Sequence, residues 1–130
     1  MTTMEPFLMF QYGEAEAAMT FYTGLFADGE VLTLVHTPEG KVQQGVFRVA
    51  GQRVRCFDSP MEHAWDFTPG VSLFVTCDSR EELEKLYAAL AEGGAPMMPL
   101  DDYGFGPFGF LADRYGVSWQ LALDLPADWR

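Results

Sequence analysis

The sequence is short of cysteine, of cationic residues and of long apolar runs, and each shortage narrows what the chain does. Cys56 and Cys77 are the only cysteines among 130 residues. Two thiols make no disulfide framework, so they read as buried thiols of a protein in the reducing cytoplasm. Eight Lys and Arg stand against nineteen Asp and Glu, a formal net charge of −11. Phosphate backbones and anionic membranes are gripped by clustered cations, so neither nucleic acid nor membrane is an expected partner. No apolar run approaches the roughly 18 residues needed to span a bilayer. The opening "MTTMEPFLMF" has no basic segment ahead of an apolar stretch, so no secretory signal is expected. A small-molecule ligand and other protein chains remain as partners.

What is present is a globular composition, 48% hydrophobic and 15% aromatic, enough for one domain with a buried core. Two helices stand out. In "GEAEAAMTFYTGLFADG" the residues Ala15, Ala18, Met19, Tyr22, Leu25 and Phe26 recur at helical spacing, with Asp28-Gly29 as the stop. In "SREELEKLYAALAEGG" Ser79 and Glu82 form a capping box, Leu83, Leu86, Tyr87 and Leu90 make the apolar stripe, and Gly93-Gly94 ends it. A short apolar strand precedes each helix, "PFLMFQ" and "VSLFVTC". Three strand candidates follow each: "EVLTLVH", "KVQQGVFRV" and "RVRCFD", then "APMMPL", "FGFLAD" and "VSWQLAL". The pattern is β-α-β-β-β twice. The copies align at an offset of half the chain, Leu8 with Leu73, Tyr22 with Tyr87, Leu25 with Leu90, Gly29 with Gly94 and Gly51 with Gly116. The matches share structural roles, which points to a duplication. The joint, "DSPMEHAWDFTPG", is too polar and proline-punctuated to continue either copy.

This arrangement resembles the vicinal oxygen chelate superfamily, home of glyoxalase I, extradiol dioxygenases and the fosfomycin and bleomycin resistance proteins. The closer resemblance, carried by "PFLMFQ…AEAAMTFYTGLF", "DFTPGVSLFVTCDS" and "LADRYGVSWQL", is to the PhnB-like, or 3-demethylubiquinone methyltransferase-like, branch. It implies an α+β fold: two tandem β-α-β-β-β modules whose curved mixed sheets face a central cavity, in one glyoxalase-like domain over residues 1–130. Module one would cover about 5–58, a linker about 59–69 and module two about 70–125. The resemblance also implies a homodimer. The methyltransferase label is no guide to chemistry, because a methyl-donor site of the usual kind needs a glycine-rich turn on a parallel α/β sheet, which this chain does not encode.

Enzymes of the superfamily hold a metal with His and Glu or Gln from the first and last strand of each module. By strand position those places fall here on Gln120 and Arg55, with Phe7 to Gln11 and Val71 to Phe74 on the opening strands, Ser72 being the only polar side chain of the latter. A guanidinium is a permanent cation with no lone pair to give, so the set does not suit a metal and no cofactor is expected. The favoured reading is a metal-free small-molecule-binding protein. Arg53 and Arg55 would anchor an acidic group, and Gln120, Ser118 and Ser72 would hydrogen-bond. Phe7, Met9, Phe74 and Trp65 would supply apolar walls, with His63 nearby as an acid or base. The alternatives are a metal-dependent isomerase, lyase or dioxygenase, with a divalent metal, and a non-catalytic scaffold module. The bland reading of the two arginines is an exposed sheet face with solvated ion pairs.

"GFGPFG", residues 104–109, matches G-x-G-x-x-G but runs into a strand instead of a helix. It reads as an aromatic loop, either a lid or a plain hairpin connection. His63 is otherwise a solvated loop histidine. A Cys56–His63 nucleophile and base lacks anything in the sequence to lower the thiol's pKa.

Overall fold

The computed structural model describes residues 1–123 and residue 128. Residues 124 and 125, the end expected for module two, lie outside the described residues. In chain order the elements are β1 (Phe7–Phe10), α1 (Ala15–Leu25), β2 (Glu30–His36), β3 (Val42–Val49), β4 (Gln52–Asp58), β5 (Leu73–Cys77), α2 (Arg80–Ala91), β6 (Ala95–Asp102), β7 (Pro107–Ala112) and β8 (Ser118–Leu123). This is the β-α-β-β-β pattern twice, an α+β chain that divides into compact units Met1–Ala64 and Trp65–Arg130, modules one and two. Each module has one open four-stranded sheet, ordered β1-β4-β3-β2 and β5-β8-β7-β6. The opening strand runs parallel to the last strand, and the other pairings are antiparallel.

Alternation along the strands decides which face each side chain takes. In β4, Val54 and Cys56 are buried beneath α1, while Arg53 and Arg55 point away from the helix. Ala15, Ala18, Met19 and Tyr22 of α1 pack on that face, with the Tyr22 ring 5.8 Å from Phe47. Burying each large apolar side chain contributes roughly 1.5–3 kcal/mol. Gly45 leaves the space this packing needs: a Cβ there would lie 2.8 Å from the sulfurs of Cys56 and Met19. In module two Gly109 does the same, its missing Cβ lying 2.6 Å from the Tyr87 ring of α2.

The helix ends differ from expectation in one respect. Helix α2 stops with Gly93 in the left-handed region, φ 75°, as a glycine stop should. Helix α1 ends at Leu25, with Phe26 already extended, and Gly29 is not left-handed. Gly29 is required for room: a Cβ would sit 1.8 Å from the Thr23 carbonyl oxygen, as one at Gly94 would sit 2.2 Å from that of Ala112. Helix α2 has the expected capping box in altered form. Ser79 Oγ accepts from Glu82 N at 3.1 Å, while the Glu82 carboxylate reaches one residue further back, to Asp78 N at 2.9 Å. Glu14 gives α1 no side-chain cap. The buried Asp58 at the end of β4 supplies it, accepting from Ala15 N at 3.0 Å and Val42 N at 2.8 Å.

The register corrects the sequence-level repeat. Leu8 pairs with Cys56 and Val75 with Leu121, so the counterpart of Leu8 is Val75, not Leu73. The stretch between β1 and α1 is longer than that between β5 and α2, which shifts the offset of the opening strands.

Candidate functional site

Each sheet turns one face to its helix and leaves the other to residues that sequence analysis singled out. In module one that second face carries Phe7, paired in register with Arg55, and Met9, paired with Phe57. Phe7 is 55% exposed and its ring lies 5.4 Å from Phe57. Arg53 and Arg55 stand on alternate positions of β4, half exposed at 51% and 49% of their side chains. Both are ion-paired, as the bland reading of an exposed sheet face had them. Arg53 Nε donates to Glu5 Oε2 and Arg55 Nε to Glu5 Oε1, both at 2.7 Å. The Glu5 side chain is only 14% exposed. The hydrogen bond from Arg53, and next that from Arg55, holds the Glu5 carboxyl below the usual carboxylate range. An open groove of about 380 Å³ runs beside this triad, lined also by Gln52 and the N-terminal Thr3 and Met4.

Sequence reasoning missed Glu5. The only signal was its place beside Pro6, whose carbonyl accepts from Arg55 N at 2.9 Å and so seats the N-terminal segment along β4.

In module two the corresponding face is aromatic with one amide. Gln120 pairs in register with Phe74 on one side and Phe110 on the other. It is half-buried, and its Nε2 donates to Ser72 Oγ at 2.7 Å. Phe74 is 50% exposed, with its ring 6.4 Å from Phe108. Phe108 is buried over Ala122, and Met98, Phe105 and Phe110 pack against that pair. The G-x-G-x-x-G stretch forms the hairpin connection from β6 to β7. Asp102 Oδ1 accepts from Gly104 N at 2.8 Å and Gly106 N at 3.3 Å, and both glycines have positive φ. That turn lays Tyr103 and Phe105 edge-on to Phe108, at 6.1 and 5.4 Å.

Ser118, expected beside Gln120 as a hydrogen-bonding group, is buried, and its hydroxyl donates to the Thr68 carbonyl at 3.3 Å. Trp65 is exposed. His63 sits in a local cluster of module one: its backbone N donates to Gln11 Oε1 at 2.6 Å, and its Nε2 lies 3.1 Å from Ser59 Oγ. The single hydroxyl proton of Ser59 goes to the Met61 carbonyl at 2.7 Å, so the imidazole is the donor to Ser59. An imidazole that donates to the hydroxyl is not poised to take its proton, so the pair is not a nucleophile and base. His36, at the end of β2, meets Glu16 Oε1 at 2.7 Å on the exposed surface.

Both thiols are buried and held in the protonated form. Burial, aided by the charge of Asp58, pushes Cys56 up to about 12, and burial, aided by Glu82 and Asp78, pushes Cys77 up to about 11. A nucleophilic cysteine needs the opposite shift.

The donor set at the metal positions implied by the fold is poor in lone pairs. Arg55 has no lone pair and is engaged by Glu5. Gln120 has an amide oxygen, but its register neighbours are phenylalanines. Among the described residues no group of three His, Cys, Asp or Glu gathers to hold an ion. The residues at these positions do not fit a metal.

The comparisons with known proteins agree with this architecture. The family model described as 3-demethylubiquinone-9 3-methyltransferase matches residues 2–122. The solved PhnB protein of Bacillus cereus, which carries the same methyltransferase description, is 43% identical. The match covers 94% of this chain and 99% of that one, with a TM-score of 0.90. A Pseudomonas aeruginosa protein is 26% identical over 95% of this chain and 98% of its own, at a TM-score of 0.83. The fosfomycin resistance protein FosX of Listeria monocytogenes shares the fold, with a TM-score of 0.70 at 13% identity over 98% and 95% of the two chains. A mutant of FosX was solved with Mn(II) and a dihydroxypropylphosphonic acid. No curated protein matches the chain with significance. With the family model spanning nearly the whole sequence and the repeated β-α-β-β-β units observed directly, the chain belongs to the 3-demethylubiquinone-9 3-methyltransferase family, the PhnB-like branch of the vicinal oxygen chelate superfamily.

Proposed function

We propose that the chain binds a small organic molecule, apolar or aromatic and bearing an acidic group, and does so without a metal. The observation that carries this reading is the module-two face, where half-exposed Phe74 and partly buried Phe110 flank the single amide of Gln120 in register and Ser72 holds that amide. Apolar walls with a few oriented polar atoms are the usual chemistry of a ligand site. The arginine pair of module one supports the acidic group. Two of eight cationic residues in a protein of net charge −11 stand together on β4. Arginine forks grip oxyanions more strongly than neutral donors do. The donor set supports the metal-free part, an arginine and an amide being poor company for a divalent cation. The family's methyltransferase description finds no support in the sheets. They are four-stranded and mixed, without the parallel α/β layer on which a methyl donor is usually held. The same reading has the chain working in the cytoplasm as a homodimer, where exposed Phe7, Phe74 and Val71 leave apolar surface to cover.

The test uses an aromatic sulfonate, 1-anilinonaphthalene-8-sulfonate, as the probe, with native mass spectrometry and metal analysis of protein purified without chelators. Phe74→Ala is expected to weaken probe binding by about tenfold, roughly 1.4 kcal/mol, with far-UV circular dichroism unchanged. Probe binding indifferent to Phe74→Ala, or one divalent ion bound per chain, would overturn the reading.

A further inference from the structure

Glu5 is placed oddly for a structural ion pair. One carboxylate serves two guanidiniums, one oxygen to each Nε at 2.7 Å, so the triad keeps a net positive charge. Each guanidinium has five N–H donors, and Glu5 takes one from each. Among the described residues neither guanidinium has another hydrogen-bond partner. The arginines lie two residues apart on one strand face, half exposed along a groove of about 380 Å³. The Glu5 carboxylate belongs to the N-terminal segment, whose first four residues are exposed. Its backbone is tied to β4 by the Pro6 carbonyl, so the carboxylate can swing out of the groove by side-chain rotation without moving the strand.

We propose that Glu5 is a built-in surrogate for the ligand's acidic group, a latch whose carboxylate occupies the Arg53–Arg55 pair until an oxyanion displaces it. The occupant is an oxyanion group of a small molecule, carboxylate or phosphonate, because these match the guanidinium fork in charge and shape. Displacement replaces one carboxylate by another oxyanion, so arginine desolvation cancels and the exchange turns on small differences. An anion with more charge than a carboxylate, or with further contacts in the groove, wins. The latch also keeps two adjacent cations from standing unpaired in the empty protein. This inference rests on the reading that the arginine pair takes the acidic group.

Sulfate is the probe, since it stays dianionic over the whole working pH range. Binding is followed through the Nε–H signals of the arginine side chains by NMR. Sulfate should bind Glu5→Gln on the order of tenfold more tightly than it binds the native chain. Arg53→Ala in the Glu5→Gln background should abolish that gain. In the native chain, sulfate affinity should rise as pH falls below the ordinary carboxylate range, because Arg53 and Arg55, the charged groups facing Glu5, delay its protonation. That rise should vanish in Glu5→Gln. Equal sulfate affinity in the native chain and Glu5→Gln would overturn the latch while leaving the anion site standing. No sulfate binding by either would overturn the arginine site as well. The native chain's pH series is read without any variant, and a flat series would overturn the latch even if Glu5→Gln failed to fold.

Discussion

Arg55 and Gln120 occupy the same place in the two modules. Each lies on the last strand, opposite a phenylalanine of the parallel opening strand, Phe7 in one case and Phe74 in the other. The scaffold around them is shared, down to the bare glycine beneath each helix, Gly45 in module one and Gly109 in module two. The company differs. Module one has a second arginine at Arg53 and a carboxylate, Glu5, between the two. Module two has Ser118 at the place of Arg53, buried and spent on a carbonyl, with aromatics from β7 and the 103–106 turn. One repeated scaffold thus carries two kinds of open face, one ionic and one aromatic. Helix-side residues are constrained by packing, whereas open-face residues are held only by whatever meets them there.

That comparison breaks first, and hardest, at the glycines that give room. Gly29→Ala and Gly94→Ala each drive a Cβ into a backbone carbonyl oxygen, at 1.8 and 2.2 Å. Each should cost about 3 kcal/mol or more, since backbone cannot step aside as a side chain can. Urea denaturation midpoints measure it. If either substitution were tolerated, the close backbone approach at that helix end would be wrong.

The buried carboxylates come next. Asp58 caps α1 and Asp113 organises the turn into β8, accepting from Tyr115 N at 2.8 Å, Val117 N at 3.1 Å and Trp119 Nε1 at 2.9 Å. Asp58→Asn and Asp113→Asn each put an amide N–H against a backbone or indole N–H, costing about 1–3 kcal/mol. Near-UV circular dichroism should register Asp113→Asn through Trp119 and leave Asp58→Asn nearly silent.

The smallest effect separates the modules by pH. Cys56 and Cys77 rise from an ordinary 9.0 to about 12 and about 11. A folded-state pKa raised above the unfolded one means full stability below pH 9 and progressive loss as pH climbs towards the folded value. At pH 10 each thiol should cost about 1 kcal/mol. Cys77→Ala should remove its share of the slope up to about pH 11, and Cys56→Ala up to about pH 12. An unchanged alkaline slope in both variants would mean the thiols ionise in the folded chain as readily as in the unfolded one.

Much of the architecture was legible because local spacing carries it. The strand β2 falls on "EVLTLVH" end to end, and Ser79 caps α2 as the capping-box pattern predicts. The alternation of β4 puts Val54 and Cys56 on the buried face and both arginines on the other. The repeat was legible in outline and wrong in detail. Leu8 matches Val75, and Gly45 matches Gly109 at 64 residues, since both pair with equivalent positions of the last strand. Unequal connections slide the offset from strand to strand, so alignment at a single spacing cannot find such pairs.

The site was half legible. Arg53, Arg55, Phe7, Phe74, Gln120 and Ser72 were named from the sequence, and within module two Ser72 and Gln120 do meet. Glu5 was not named, and Ser118 was given to the wrong partner. By itself the sequence determined the elements, their order, the two-module plan and the facing of each strand residue, since these follow from periodicity, caps and turns. Only the tertiary structure decided that Glu5 lies between Arg53 and Arg55, that Asp58 caps α1 and that Ser118 donates to Thr68. Each of those contacts joins segments 43 to 50 residues apart. Their geometry is set by the register of paired strands, which no local pattern along the chain encodes.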